Sequence, residues 1–139
     1  MSRNDLISDS LAILKNASTV KKDDSIIPYS GILLKICEVL KNEGYIENFR
    51  EMEEGKKKYI KVYLKYINKK SAFSKIIRIS KCSKRTYVKK DRLPRVLKGK
   101  GLALISTSAG LITNAQAKEQ GLGGEVLFYI WWTADGHRL

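Results

Sequence analysis

Between Tyr59 and Tyr66, apolar and polar side chains alternate without a slip. A period of two puts Ile60, Val62, Leu64 and Tyr66 on one face of a strand, and Tyr59, Lys61, Tyr63 and Lys65 on the other. Such a strand needs a neighbouring strand and an apolar layer over its inner face. The residues upstream predict both. Tyr45–Arg50 reads as a strand, with Glu54-Gly55 marking a hairpin turn. Residues 5–17 read as an amphipathic helix whose stripe is Ile7, Leu11, Leu14 and Ala17, with Asn4 as candidate N-cap. Ser25–Pro28 is a short extended segment. A second helix starts at a Ser30 cap, carries Ile32, Leu33, Ile36, Cys37 and Leu40 on one stripe, and stops at Gly44. The first half is therefore α-β-α-β-β.

Asn68–Ala72 is polar and basic and reads as a linker. Strand-like runs follow at Lys75–Ser80, Thr86–Lys89, Leu102–Ile105 and Val126–Trp131. One short helix, Asn114–Gln120, is framed by a Thr113/Gln116 capping box and a Gly121 stop. The expected class is α+β in two small halves: residues 1–68 as an α/β unit and 69–139 as a mostly β unit ending in an atypical tail, 132–139.

Charge divides the chain more sharply than secondary structure does. The formal charge of the whole chain is +13. Residues 1–55 carry a net −3, residues 56–100 a net +17 with Asp91 as the one acid, and residues 101–139 a net −1. A block that basic repels itself and calls for counter-charge. Nucleic-acid phosphate is the commonest partner, ahead of a solubilising role or an anionic membrane surface. The densest string is Arg78, Lys81, Lys84, Arg85, Lys89, Lys90, Arg92, Arg95, Lys98 and Lys100. Ile77, Ile79 and Val88 alternate with it, so part of it must point outward. Lys81, Arg85, Lys89, Lys90 and Arg95 are the candidate phosphate contacts. Contacts of that kind position a protein and carry little sequence information.

Other chemistry is sparse. Cys37 falls on a helix stripe, where a buried thiol is expected, and Cys82 lies in a basic turn. Neither has metal-ligand spacing, a disulfide is not expected in a reducing compartment, and His137 sits in a polar tail. No cofactor is implied. No apolar run approaches 18 residues and no signal-peptide pattern is visible, which predicts a soluble chain not exported by that route. The Tyr59, Lys61, Tyr63, Lys65 face reads in two ways: a half-exposed sheet face of good strand formers, or a platform stacking on RNA bases.

Residues 105–125 carry the strongest functional signal. Ser106, Thr107 and Ser108 follow an apolar run, Gly110 comes next, and Gly123-Gly124-Glu125 closes the stretch. Small hydroxyls, glycines and one carboxylate suit the reading of a shaped polar surface. A nucleophilic serine would need a general base nearby in sequence, and a phosphate loop would need its Gly-Lys-Ser/Thr ending; both are missing. Without further information these hydroxyls would be taken to satisfy local backbone.

The order of motifs resembles the bacterial-type small-subunit ribosomal protein eight family. Its Ser-Thr-Ser-x-Gly loop, following Thr, Ala and Gly-Gly-Glu match Ser106-Thr107-Ser108-Ala109-Gly110, Thr113, Ala117 and Gly123-Gly124-Glu125. Further matches are Lys15-Asn16-Ala17, Pro28, Ser30, Ile36 to Lys41, Glu43-Gly44-Tyr45-Ile46, Arg78-Ile79-Ser80 and Leu93 to Leu97. The resemblance spans about Asp5 to Trp131. It implies a two-part architecture and a non-enzymatic protein that binds small-subunit ribosomal RNA in its central domain, beside neighbouring small-subunit proteins. It also implies repression of its own operon messenger in some members, and a ribosome in a bacterium or an organelle. The loop would then meet a distorted site in an RNA helix, where displaced bases expose edges that regular A-form RNA hides. RNA contact by Ser106, Thr107, Ser108, Gly110 and Gly124 becomes the expectation. Glu125 would accept from base amines, orient a cation, or pair with a neighbouring lysine.

The chain departs from the pattern twice. Cys82-Ser83 stands where the family has a Pro-Gly turn before Arg-x-Tyr, here Arg85-Thr86-Tyr87. The chain also continues past Trp131 through Trp132–Leu139. The rival readings are a general nucleic-acid-compacting protein, and a transferase using Ser106 or Ser108 on an anionic substrate.

Overall fold

The computed structural model describes residues 3–81, 84–93 and 101–132, with the side chains of 3–5 and 132 excepted. Helix α1 (Arg3–Thr19) leads to strand β1 (Asp24–Pro28), helix α2 (Gly31–Asn42), and strands β2 (Ile46–Glu54) and β3 (Lys57–Leu64). A small hairpin follows, β4 (Tyr66–Ile67) and β5 (Lys70–Ser71). Next come β6 (Phe73–Arg78), β7 (Tyr87–Val88), a 3-10 turn at Lys90–Arg92, β8 (Gly101–Thr107), β9 (Gly110–Thr113), α3 (Asn114–Gln120) and β10 (Gly124–Trp132). The class is α+β, with the α-β-α-β-β order of the first half and the strand-rich second half both as expected.

The alternating strand is the middle of a three-stranded antiparallel sheet, β1-β3-β2. Its inner residues Ile60, Val62 and Leu64 are buried with the helix stripes Ile7, Leu11, Leu14, Ala17 and Leu33, Ile36, Cys37, Leu40. The second sheet runs β6-β10-β8-β9, with β7 paired to one end of β10. Leu102, Leu104, Leu127, Phe128 and Ile130 from that sheet join the same apolar cluster as the helices. Helix α1 packs against β1 and β6, and α2 against β2 and β9, so each helix touches both sheets. The far face of the second sheet buries Ala103, Ile105, Val126 and Trp131 with Ala117 of α3. Leu102–Ile105 is therefore buried on both faces, which is why it reads as a continuous apolar run rather than an alternation.

The helix ends carry the chemistry their residues predict. The Ser30 side chain accepts from the Leu33 N–H at 3.1 Å. Gly44, at φ 84°, lets Tyr45 and Gly44 donate back to Leu40 and Lys41 at the end of α2. Thr113 and Gln116 form the expected capping box, and Gly121 closes α3 at φ 68°.

Several boundaries differ. Helix α1 begins at Arg3, so Asn4 lies inside it rather than capping it. The β2–β3 turn is Gly55-Lys56, one residue later than expected. Tyr66 leaves the alternating strand after a break at Lys65 and starts the small hairpin. The segment expected as linker is ordered structure: Asn68 and Lys69 turn the β4–β5 hairpin, and Ala72 is fully buried. Strand β9 was not expected.

Burial pushes the Cys37 thiol up to about 12 from an ordinary 9.0. The folded value lies above the unfolded one. Its contribution to stability is therefore intact below about pH 9 and is lost as pH rises toward 12. At pH 8 the peptide containing Cys37 should resist alkylation in the folded protein and react on unfolding in guanidinium. Ready modification of the folded chain at Cys37, read by peptide mass, would contradict this burial.

Candidate nucleic-acid interface

The hydroxyl stretch is a hairpin, not a free loop. Ser106 and Thr107 end β8, Ser108-Ala109 form the tip, and Gly110 begins β9 opposite Thr107. Thr107 Oγ1 donates to the Gly110 carbonyl at 2.8 Å and accepts from the Ala109 N–H at 3.1 Å. Its hydroxyl shapes the turn. Gly110 holds φ 113° with open space where a Cβ would sit, so conformation rather than crowding calls for glycine there. Ser108 is exposed at the tip, and Ser106 is half-buried.

A bulge in β10 decides what Ser106 faces. The β10–β8 register shifts between Val126 and Phe128. Without that shift, Glu125 would face away from Phe128; with it, Glu125 stands directly opposite Ser106. Tyr87 of β7 is opposite Glu125 on its other side, and Leu111 of β9 is opposite Ser106. Directly opposed residues share a face. Tyr87, Glu125, Ser106 and Leu111 thus form one row across four strands.

The row is set in cations. Arg85 Nη1 lies 3.4 Å from both Glu125 oxygens, and only 13% of the Glu125 side chain is exposed. Arg78 donates to the Leu127 carbonyl. Burial holds its guanidinium below the ordinary arginine range, while Glu125 opposes that shift and Arg85 adds to it. Glu125 therefore pairs with and orients Arg85 while its charge also favours the Arg78 cation, the ion-pairing role among those expected of it, with arginine rather than lysine as partner. Lys81 and Lys84 exchange backbone hydrogen bonds across positions 82–83. Ser80 Oγ accepts from the Thr86 N–H at 2.9 Å and ties Ser80 to Thr86. Lys81, Lys84, Lys89 and Lys90 are all exposed.

The glycine pair does internal work. A Cβ on Gly124 would overlap the Ser106 carbonyl oxygen, and one on Gly123 the Val88 carbonyl oxygen. The close approach observed is between the protein's own strands. It lets β7 and β8 converge on β10 around Glu125.

The fold thus gathers Ser106, Thr107, Ser108, Gly110, Gly124, Glu125, Arg85 and Lys81 at one end of the second sheet, with Lys89 and Lys90 just beyond β7. Arg95, Lys98, Lys100, Cys82, His137 and the tail after Trp132 lie outside the described residues. Two residues beyond the candidate contacts join the site, Tyr87 and Arg78, the latter named above only as part of the basic string. Tyr87 is 67% exposed, and Arg78, opposite Phe128, donates to the Leu127 carbonyl of β10. An aromatic interleaved with a basic string was the available signal for Tyr87. The other candidate platform is engaged elsewhere: Tyr59, Lys61, Tyr63 and Lys65 are half-buried, and Lys61 lies 3.7 Å from Asp24. Among the described residues, no three His, Cys, Asp or Glu side chains gather as a metal site, and no helix is long and apolar enough to cross a membrane.

Comparison with known proteins shows the family of the chain. The family described as Ribosomal protein S8 matches residues 5–131. Small ribosomal subunit protein uS8 of Desulforamulus reducens is 46% identical over 132 residues, covering 94% of this chain and 100% of that protein. Small ribosomal subunit protein uS8c of Phaeodactylum tricornutum is 48% identical over 130 residues, covering 92% and 98%. The uS8 protein of Kosmotoga olearia is 43% identical over 132 residues, covering 92% and 98%. Matches of that identity and coverage remove the transferase reading and make this a non-enzymatic ribosomal protein: the chain belongs to the ribosomal protein S8 family of the small ribosomal subunit.

Proposed function

We propose that the chain binds small-subunit ribosomal RNA directly, in its central domain, through residues 69–139, and helps that RNA fold during subunit assembly. The observation that carries the reading is the row Tyr87–Glu125–Ser106, flanked by Ser108 and ringed by Arg78, Arg85 and exposed lysines. Each component has a task. The lysines neutralise phosphate and set register. Tyr87 offers a face to a base displaced from an irregular helix. Ser106 and Ser108 both donate and accept, so they can match base edges and the 2′-hydroxyl, which lysine cannot. Glu125 keeps Arg85 aimed across the row.

Thr107 is a poor probe because its hydroxyl holds the turn. Replacing Ser106 and Ser108 by Ala is the cleaner test. Each lost hydrogen bond costs about 0.5–1.5 kcal/mol, so cognate affinity should fall about tenfold or more. Binding to a regular RNA duplex and the salt slope should hold, since no cation is removed. Full cognate binding by the folded double variant would take the hydroxyls out of the site. A general nucleic-acid binder would instead bind duplex DNA and cognate RNA equally in competition. An RNA that copies the ribosomal site, such as a segment of the protein's own operon messenger, would compete for the same row and allow self-repression. Neighbouring small-subunit proteins would meet the remaining surface.

A further inference from the structure

Strand β7 is two residues long and is paired only to β10. So short a strand frays unless something beyond its own ladder holds it. Its Tyr87 is 67% exposed, so side-chain packing does little to aim the ring. The backbone leading into β7 must therefore set where Tyr87 stands, and must also deliver Arg85 to Glu125.

The hold comes from Ser80, just past β6. Val126 of β10 is bonded twice: its carbonyl accepts from the Ser80 N–H at 3.2 Å, and its N–H donates to the Thr86 carbonyl at 2.9 Å. Residues 80 and 86 thus reach the same residue of β10. None of residues 81–85 is proline, so the local sequence does not stiffen the passage between them. Lys81 and Lys84 exchange backbone bonds within that passage, but neither bond reaches β7. The Ser80 side chain does what they do not. Ser80 is fully buried, and its Oγ accepts from the Thr86 N–H at 2.9 Å and donates to the Thr86 carbonyl at 3.3 Å. One hydroxyl engages both backbone groups of the residue that separates Arg85 from Tyr87. The Ser80 N–H is already satisfied by Val126, so the hydroxyl is not there to serve its own backbone.

We propose that Ser80 is a positioning residue for RNA recognition. By fixing Thr86 it sets Tyr87 in the Tyr87–Glu125–Ser106 row and brings Arg85 to Glu125. Burial keeps Ser80 itself off the RNA, so its effect passes through those neighbours. With the hydroxyl gone, the RNA would have to order the segment on binding, and that ordering is subtracted from the affinity. The proposal rests on RNA binding at the row.

The test is a double-mutant cycle of Ser80→Ala and Tyr87→Ala on cognate RNA. Ser80→Ala removes no charge. It should lower cognate affinity about tenfold, with the salt slope and binding to a regular RNA duplex held at parental values. On the Tyr87→Ala background the same change should cost about twofold or less, because the group it positions is gone. Ser80→Ala should also melt about 5 °C earlier, since Thr86 loses two bonds. Ile27→Val, in the core beneath the first sheet, supplies a comparable loss of stability and should bind cognate RNA as the parent does. All binding is read well below the melting midpoints. A Ser80→Ala protein that melts early yet binds cognate RNA fully would make the hydroxyl a structural bond alone and overturn the proposal. A tenfold loss that persists on the Tyr87→Ala background, or that the regular duplex shares, would overturn it too. If Tyr87→Ala itself leaves cognate binding intact, the reading of the row fails, and the positioning role falls with it.

Discussion

Gly124→Ala should cost about 3 kcal/mol and lower the melting midpoint by roughly 10 °C. The added methyl would overlap the Ser106 carbonyl oxygen, lie 2.9 Å from the Ser106 carbonyl carbon and 3.2 Å from Ile105 Cγ2. Two of these three atoms are backbone of a strand that is paired on both sides. They cannot swing away as a side chain would, so β8 and β10 must part at the point where Ser106 meets Glu125. The variant should therefore lose the reading row along with stability, and bind cognate RNA poorly even below its melting midpoint. Gly31→Ala is the control, because a Cβ there meets nothing within 4 Å. Melting curves by circular dichroism decide the matter. A Gly124→Ala protein that melts with the parent would mean that the strands do not converge as described.

Neutralising Lys81, Lys84, Lys89 and Lys90 together with Gln should produce the largest loss of binding. If each contacts one phosphate, the salt slope falls by about 3 and affinity near 0.15 M salt by roughly a hundredfold to a thousandfold. Cognate and non-cognate RNA should suffer alike, because phosphate contacts position without reading. All four side chains are exposed, so the fold should persist, and relief of like-charge repulsion works in its favour. A salt slope equal to the parent's would exclude these lysines from the contact. A loss confined to cognate RNA would show that they read structure.

These two experiments separate what each half of the site contributes. The lysine string was plain in the sequence because charge density is a local property, and its exposure follows from alternation with Ile77, Ile79 and Val88. The role of Gly124 was not plain. A Gly-Gly-Glu run announces close approach without saying to what, and the structure answers with the Ser106 backbone. Thr107 is a similar case: its hydroxyl was expected at RNA and is engaged within its own turn.

The helices, their caps and the alternating strand were legible because each depends on residues within one or two turns of itself. Ser30, Gly44, the Thr113/Gln116 box and the Ile60, Val62, Leu64 face all act over such distances. Strand β9 was missed because Gly110–Thr113 is four residues long, shorter than either period needs, and is a strand only by pairing with β8. The hairpin at 66–71 was missed because Asn-Lys lacks the glycine that marks such turns. The bulge at Leu127 leaves no trace in composition, yet it alone turns Glu125 toward Ser106. Nor does sequence bring the Ser80 hydroxyl to Thr86, which their shared partner Val126 does. The sequence by itself determined which segments coil or extend, where they stop and where the cations lie, since those follow from neighbours along the chain. Register and packing decided which side chains meet, because a one-residue shift in a strand reverses every face and no local preference records it.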